Sequence, residues 1–362
     1  MAGGSLSASR KTHDRPRSDD AAGRIVSPVE EQFYVTLLDQ IADGVYFVDT
    51  DRVITYWNGG AERITGYAAA DVVGHSCSEG ILRHVNDSGK QLCLQGCPLQ
   101  GVMLDGKQRT ANVYLHHKNG HRVPVRVQGH ALRDDNGVIT GSVEVFSRRH
   151  INQYDIAEQD GIADGLDPVT GLPPRRIGEK QLSVLLPYDA DSAADGDGSA
   201  VEAQRGVGIL FLDVDHFKAV NDNYGHRVGD DVLRVVGQSL ANGLSSGDLP
   251  VRWGGEEFLA VLPAADMASV AATAERVRML VEHSWLDFGD QTVRVTASVG
   301  ATLSRPGEDV SAVVDRADHL MYRSKHSGRN RVTTDDGVLT SEAESPIIGK
   351  GIPWLMPEYM NR

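Results

Sequence analysis

Residues 252–258 of this chain read Arg252-Trp253-Gly254-Gly255-Glu256-Glu257-Phe258, with the apolar run Leu259, Ala260, Val261 and Leu262 directly behind them. Glycine reaches φ > 0 at no steric cost, so Gly254 and Gly255 between two β-type runs read as a tight hairpin turn. Two carboxylates leave that turn together. Acidic side chains where backbone can come close suit a metal–phosphate site, because hard cations take oxygen ligands. A solvated acidic hairpin is the bland reading of the same stretch. Asp213 weighs against it, since it closes the apolar run 207–212, where a carboxylate sits rigidly at a sheet edge. Lys218, Lys325 and Arg329 are cations suited to phosphate oxygens, lysine as a point charge and arginine as a bidentate fork. Solvated surface is the usual place of both residue types.

The three cysteines, Cys77, Cys93 and Cys97, all fall in the first half of the chain, and an odd count excludes a fully paired disulfide framework. With His84 as a fourth ligand they could supply zinc or an iron–sulfur cluster. Buried free thiols and a reversible Cys93–Cys97 disulfide are the other readings. A haem would need an axial histidine, and His75, His84, His116, His117, His121 and His130 leave that choice open.

The elements that must position these groups fall into two patterned blocks. In the first, 33–41 reads as an amphipathic helix, 44–48 as a buried strand and 53–57 as a second strand across the Asp49-Thr50-Asp51 turn. Asn58 suits the N-cap of a short helix over 61–65, which Gly66 ends. Strands fit 109–117, 122–132 and 138–146, joined by turns at Lys118-Asn119-Gly120-His121 and Asp134-Asp135-Asn136-Gly137. In the second block 207–212 is a strand, and Asp230-Asp231 reads as the cap of a helix with one apolar face. An amphipathic helix over 271–281 and a strand over 293–303 follow. Between the blocks, 147–166 holds four large apolar residues among polar ones. That allows a helix able to pair with a second copy, weakened by Gly161 and Gly165. Residues 1–28 lack periodicity and read as disordered, 189–204 as a flexible insertion and 334–362 as a tail.

A chain of 362 residues accommodates two domains plus tails. With 36 basic against 50 acidic residues the net charge is −14, which argues against binding nucleic acid or an anionic membrane through a basic surface. No apolar run approaches the roughly 18 residues of a transmembrane helix, and the N-terminal stretch is polar, so a cytoplasmic protein is expected.

Several spaced motifs between Leu166 and Val332 resemble the GGDEF family, the diguanylate cyclases, in its GGEEF form. They are Asp167-Pro168-Val169-Thr170-Gly171-Leu172-Pro173; Asp213-Val214-Asp215-His216-Phe217-Lys218 with Asn221-Asp222; Tyr224-Gly225-His226 and Gly229-Asp230; and Ala317-Asp318, Tyr322, Lys325 and Gly328-Arg329-Asn330, besides the glycine turn itself. The first block resembles a PAS sensor domain at Ala42-Asp43-Gly44-Val45, Thr55-Tyr56-Trp57-Asn58 and Ile64-Thr65-Gly66-Tyr67. The resemblance implies a PAS-like domain over 29–148 with a five-stranded antiparallel sheet. A linker over 149–165 and a GGDEF domain over 166–333 follow, the latter a palm-like α+β fold whose mainly antiparallel sheet is flanked by helices.

It also implies an activity: metal-dependent condensation of two GTP into cyclic di-GMP and pyrophosphate by a homodimer under sensor control. Each 3′-hydroxyl attacks the other's α-phosphate. Asp213 and Glu256, with the backbone carbonyl of Val214, would be the Mg²⁺ or Mn²⁺ ligands. Glu257 would assist deprotonation of the 3′-hydroxyl or orient the substrate, and Lys218, Lys325 and Arg329 would contact the triphosphate. Asn221 and Asp230 stand where the family reads guanine, and the chemistry suits, since aspartate accepts while asparagine both donates and accepts. Gly254 and Gly255 would keep the turn open to the nucleotide. Helix capping by Asp230 and turn stabilisation by Asp215 stay open as structural roles. So do two other functions: a catalytically silent domain that binds nucleotide or a partner, and a different nucleotidyl cyclase on the same fold. One departure is informative. Asp248 stands at the aspartate of the family's R-x-x-D product-inhibition site, but Ser245 replaces the arginine, so cyclic di-GMP should bind there poorly.

Overall fold

The computed structural model describes residues 28–149, 165–186, 205–289 and 291–339. The expectations for the N-terminal stretch, for most of the linking helix, for the 189–204 insertion and for nearly all of the C-terminal tail lie outside the described residues.

The first block is a sheet of five antiparallel strands: β1 (Gly44–Asp49), β2 (Ile54–Trp57), β3 (Arg109–His116), β4 (Arg122–Arg133) and β5 (Ile139–Arg148), in the order β2-β1-β5-β4-β3. Helix α1 (Pro28–Gln40) precedes it. Helices α2 (Gly59–Thr65), α3 (Ala69–Val72) and α4 (Pro98–Asp105) lie between β2 and β3. Asn58 caps α2 by accepting from Ala61 N, and Gly66 ends it at φ 74°, as the residue types predict. Tyr46, Trp57, Val125, Val127 and Phe146 pack from the sheet against Ile64 and Leu99 of the helices.

The second block is built on six strands in the order β13-β12-β11-β6-β8-β7. These are β6 (Gly206–Val214), β7 (Leu249–Arg252), β8 (Glu257–Ala265), β11 (Ala297–Leu303), β12 (Val332–Thr334) and β13 (Gly337–Leu339), antiparallel except for the β11–β12 pair. A separate hairpin joins β9 (Leu286–Phe288) to β10 (Gln291–Val293). Helices α5 (Arg175–Leu185), α6 (Phe217–Tyr224), α7 (His226–Gly243), α8 (Met267–Glu282) and α9 (Val310–His326) cover the sheet. Side chains alternate across a strand, so β6 feeds two cores. Leu210, Leu212 and Val214 meet α7 and α8, whereas Ile209 and Phe211 meet α5 and α9.

Two element expectations need correction. Helix α7 starts at His226, not at Asp230-Asp231, because Gly225 (φ 83°) alone separates it from α6. Asp230 therefore sits inside the helix, exposed, and caps nothing. The expected strand 293–303 is two strands: between them Thr296 turns aside, its carbonyl accepting from Asp215 N at 2.9 Å. Among the described residues no helix is long and apolar enough to cross a membrane.

Candidate active site at the β6–β8 edge

Phe211 and Leu259 both point into the α5–α9 core. Period-two alternation then sends Asp213 and Glu257, two residues along, to the same face. The antiparallel register sets them directly opposite each other. That is the face α9 covers, and Lys325 from its last turn brings Nζ to 2.7 Å from Asp213 Oδ2. Asp213 is buried, and burial lifts its carboxyl to about 6; Lys325 pulls it down, while Glu256 and Glu257 push it up. Three carboxylates thus crowd one sheet edge around a single close ammonium.

The glycine turn joins β7 to β8 as predicted, with Trp253 N and Gly254 N both donating to Glu257 O. The reason for glycine differs from the expectation, since neither Gly254 nor Gly255 takes a left-handed φ. A Cβ on Gly254 would strike the Glu257 carboxylate, whereas one on Gly255 would point into open space. Within this chain, then, only Gly254 is held to glycine by a neighbouring side chain, that of Glu257.

Asn221, in the last turn of α6, lays its side-chain oxygen over Gly229, where any Cβ would collide with it. That sets Asn221 beside Asp230 on the next helix. Lys218 stands exposed on the first turn of α6 with no hydrogen-bond or ion-pair partner among the described residues, so only Lys325 of the three predicted cations touches the acidic edge. Arg329 is exposed and left-handed (φ 62°) in the loop behind α9.

One positioning residue, Arg252, escaped the sequence reading, and Asp215 holds more than the turn expected of it. Arg252 grips the turn: its Nε donates to Gly254 O at 2.6 Å and its Nη2 to Gly255 O, while Nη1 reaches Asp167 Oδ1 at 3.4 Å. Asp215 is buried and fully occupied, accepting from Thr296 Oγ1 (2.7 Å), Ser298 Oγ (2.7 Å) and Asn330 N (3.0 Å). It ties the end of β6 to β11 and to the Gly328-Arg329-Asn330 loop, a tertiary role rather than the local turn stabilisation expected of it.

The donor set fits a hard divalent cation. Among the described residues no three His, Cys, Asp or Glu side chains form a closed metal-holding group. Mg²⁺ does not need one, since it takes one or two carboxylates and fills the rest with phosphate and water oxygens. A crowded set of carboxylates, one with its pKa raised by burial first and then by its acidic neighbours, is what such an ion would relieve.

In the first block Cys77, Cys93 and Cys97 are free, Cys77 buried and the other two half-buried. Burial raises the Cys77 and Cys93 thiols, Cys93 to about 11. Together with His84 they do not form a metal-holding group, so the zinc and iron–sulfur readings lack a formed site. His116 and His117 are taken up by ring stacking, on Trp285 and His121 respectively.

Residues 165–331 match the family model described as diguanylate cyclase, GGDEF domain, and residues 32–149 match the PAS fold. The chain carries a GGDEF domain over 165–331, with a PAS domain over 32–149 ahead of it. It is 38% identical over 169 residues to the response regulator PleD of Caulobacter vibrioides, 46% of this chain and 35% of that protein. To the probable diguanylate cyclase DgcE of Escherichia coli K12 it is 29% identical over 313 residues, 84% of this chain and 26% of that protein. Among solved structures, the GGDEF domain of DgcB from Caulobacter crescentus in complex with c-di-GMP aligns at 30% identity and a TM-score of 0.42, over 49% of this chain and 100% of that one. The chain spans 23% to 53% of the length of the curated relatives it matches.

Proposed function

We propose that this chain condenses two GTP into cyclic di-GMP and pyrophosphate, as a homodimer whose catalytic domains meet under control of the PAS domain. The observation that carries the reading is the acidic edge: buried Asp213 opposite Glu257, with Glu256 beside them and Lys325 on Asp213. One guanine would be read by Asn221 and Asp230, which adjacent helices hold together. Lys325 and Arg329 would meet the triphosphate, and Lys218, free on its helix, is available to join them. Glu257 is aimed by the register and Arg252 fixes its turn, so it can orient the attacking 3′-hydroxyl or take its proton. Asp213, Glu256 and the Val214 carbonyl would hold Mg²⁺ or Mn²⁺, which when bound neutralises charge developing on the phosphates. Each site takes one GTP, so the second must arrive on a partner chain. The test is incubation of the purified chain with GTP and Mg²⁺, with the product identified by mass. Cyclic di-GMP is expected, and its absence from an intact, GTP-binding dimer would refute the reading.

A further inference from the structure

The PAS and GGDEF domains touch through a joint centred on Trp285, which follows α8. His116, the last residue of β3, lies flat on the indole, 3.4 Å between ring centroids and 5° between planes. The guanidiniums of Arg83, Arg122 and Arg294 stand 4.7, 4.9 and 5.2 Å from the Trp285 ring centre. Arg122, from the start of β4, is fully buried and crosses the boundary. Its Nε donates to His283 O at 2.8 Å and its Nη1 to Arg83 O at 2.5 Å, while its carbonyl accepts from Asn242 of α7 at 2.8 Å. Trp285 N–H donates to Gly120 O, and a Cβ on Gly120 would collide with the Trp285 carbonyl. The fit is backbone against backbone.

This joint differs from a permanent domain core in its charge. Three cations gather around one indole ring, and the hydrogen bonds of Arg122 run to carbonyls. Burial first, then Arg83 and Arg294, lower the Arg122 guanidinium to about 9. Cation–π attraction is thus offset by like-charge repulsion and desolvation, which suits a contact that opens. The joint also reaches both functional ends of the molecule. Arg83 sits at φ 38°, a left-handed backbone uncommon for arginine, and the next residue is His84. Buried His84 Nε2 lies 3.7 Å from Glu144 Oε1 inside the PAS core with no hydrogen-bond partner among the described residues. At the other end the contact runs along α7, and Asp231, next to the guanine-reading Asp230, lines the interdomain cleft with Lys118 and His121.

We propose that the Arg122–Trp285 joint is an autoinhibitory latch. Closed, it holds the GGDEF domain on its own sensor and restrains the helix carrying Asp230 from facing a partner's site. A change at His84 and Glu144 opens it through Arg83. Its effect on turnover rests on the cyclase reading above, whereas its effect on shape does not. Bistable contacts of this kind amplify small local shifts into domain movement.

The test uses the full chain carrying Trp285→Ala or, as the milder change, Arg122→Gln. Both are expected to raise cyclic di-GMP turnover about fivefold or more at fixed protein concentration, the lower end of ordinary allosteric coupling. Both should also enlarge the radius of gyration in X-ray scattering, with GTP KM unchanged. Folded variants that keep the wild-type radius, or that expand without any gain over an active wild type, overturn the latch. If wild type and variants alike make no cyclic di-GMP, the cyclase reading fails instead. Scattering then decides the joint alone, and an unchanged radius overturns it.

Discussion

Arg252→Met should slow catalysis without unfolding the protein. The arginine closes β7, its side chain is 10% exposed, and its fork holds the carbonyls of Gly254 and Gly255. Methionine keeps an apolar stem at this position and removes the fork, which also lies over the Phe258 ring at 5.4 Å. A hydrogen bond from a charged donor contributes about 1.5 kcal/mol net at the low end, so two are worth about 3 kcal/mol. Gly255 is exposed, so water recovers part of this on its side of the turn. A residual loss of about 2 kcal/mol in holding Glu256 and Glu257 for the reaction corresponds to roughly a 30-fold lower kcat. GTP KM should move much less, since the fork touches the turn and not the nucleotide. Initial rates of cyclic di-GMP formation over a range of GTP concentrations separate the two parameters, and a thermal melt checks the fold. Wild-type kcat in a folded variant would show that the turn keeps its shape unaided. A raised KM at unchanged kcat would make Arg252 a ligand-binding group.

Other consequences can be measured separately. Asp213→Ala or Glu256→Ala should abolish turnover in a folded chain, because each removes an anionic oxygen ligand; full activity in either would remove the metal assignment. Added cyclic di-GMP should inhibit weakly, since Asp248 Oδ2 is already spent on the Ser245 N–H at 2.8 Å and no guanidinium replaces Ser245. Micromolar product binding untouched by Asp248→Ala would reveal another site. Specific activity should rise with protein concentration until dimers saturate, and a rate per chain that is flat down to full dissociation would contradict catalysis across two chains. Burial raises Glu144 from 4.5 to about 8, so the folded state holds a proton that the unfolded chain releases. Stability should therefore fall as pH climbs through that window. Glu144→Gln should flatten this part of the melting-temperature profile and raise its alkaline end; an unchanged slope would mean that Glu144 is ionised in the fold.

The acidic edge was legible because alternation along a strand is a local rule. Asp213 is two residues past Phe211 and Glu257 two before Leu259, so each inherits the face its apolar neighbour buries. Lys325 was legible as a cation but not as a partner of Asp213, since only the packing of α9 on β6 brings them together. Asp230 misled because capping is read from residue type, whereas Gly225 restarts the helix five residues earlier than the cap would. Arg252 and Arg122 were invisible for a common reason. Both are held by backbone carbonyls, which every residue carries and no spacing betrays; one of them lies 161 residues from Arg122.

Gly120 meets two demands at once. Residues 118–121 read as an ordinary hairpin turn, and Gly120 at φ 100° performs that role. The same missing Cβ is what lets Trp285 approach from the other domain. A glycine that a turn already explains carries no mark of a second demand on it. Such a demand becomes visible only when each glycine is asked what a side chain there would strike. By that question Gly254 answers with Glu257 at the acidic edge, Gly229 with Asn221 at the proposed guanine-reading helices, and Gly120 with the Trp285 carbonyl at the contact proposed to control them.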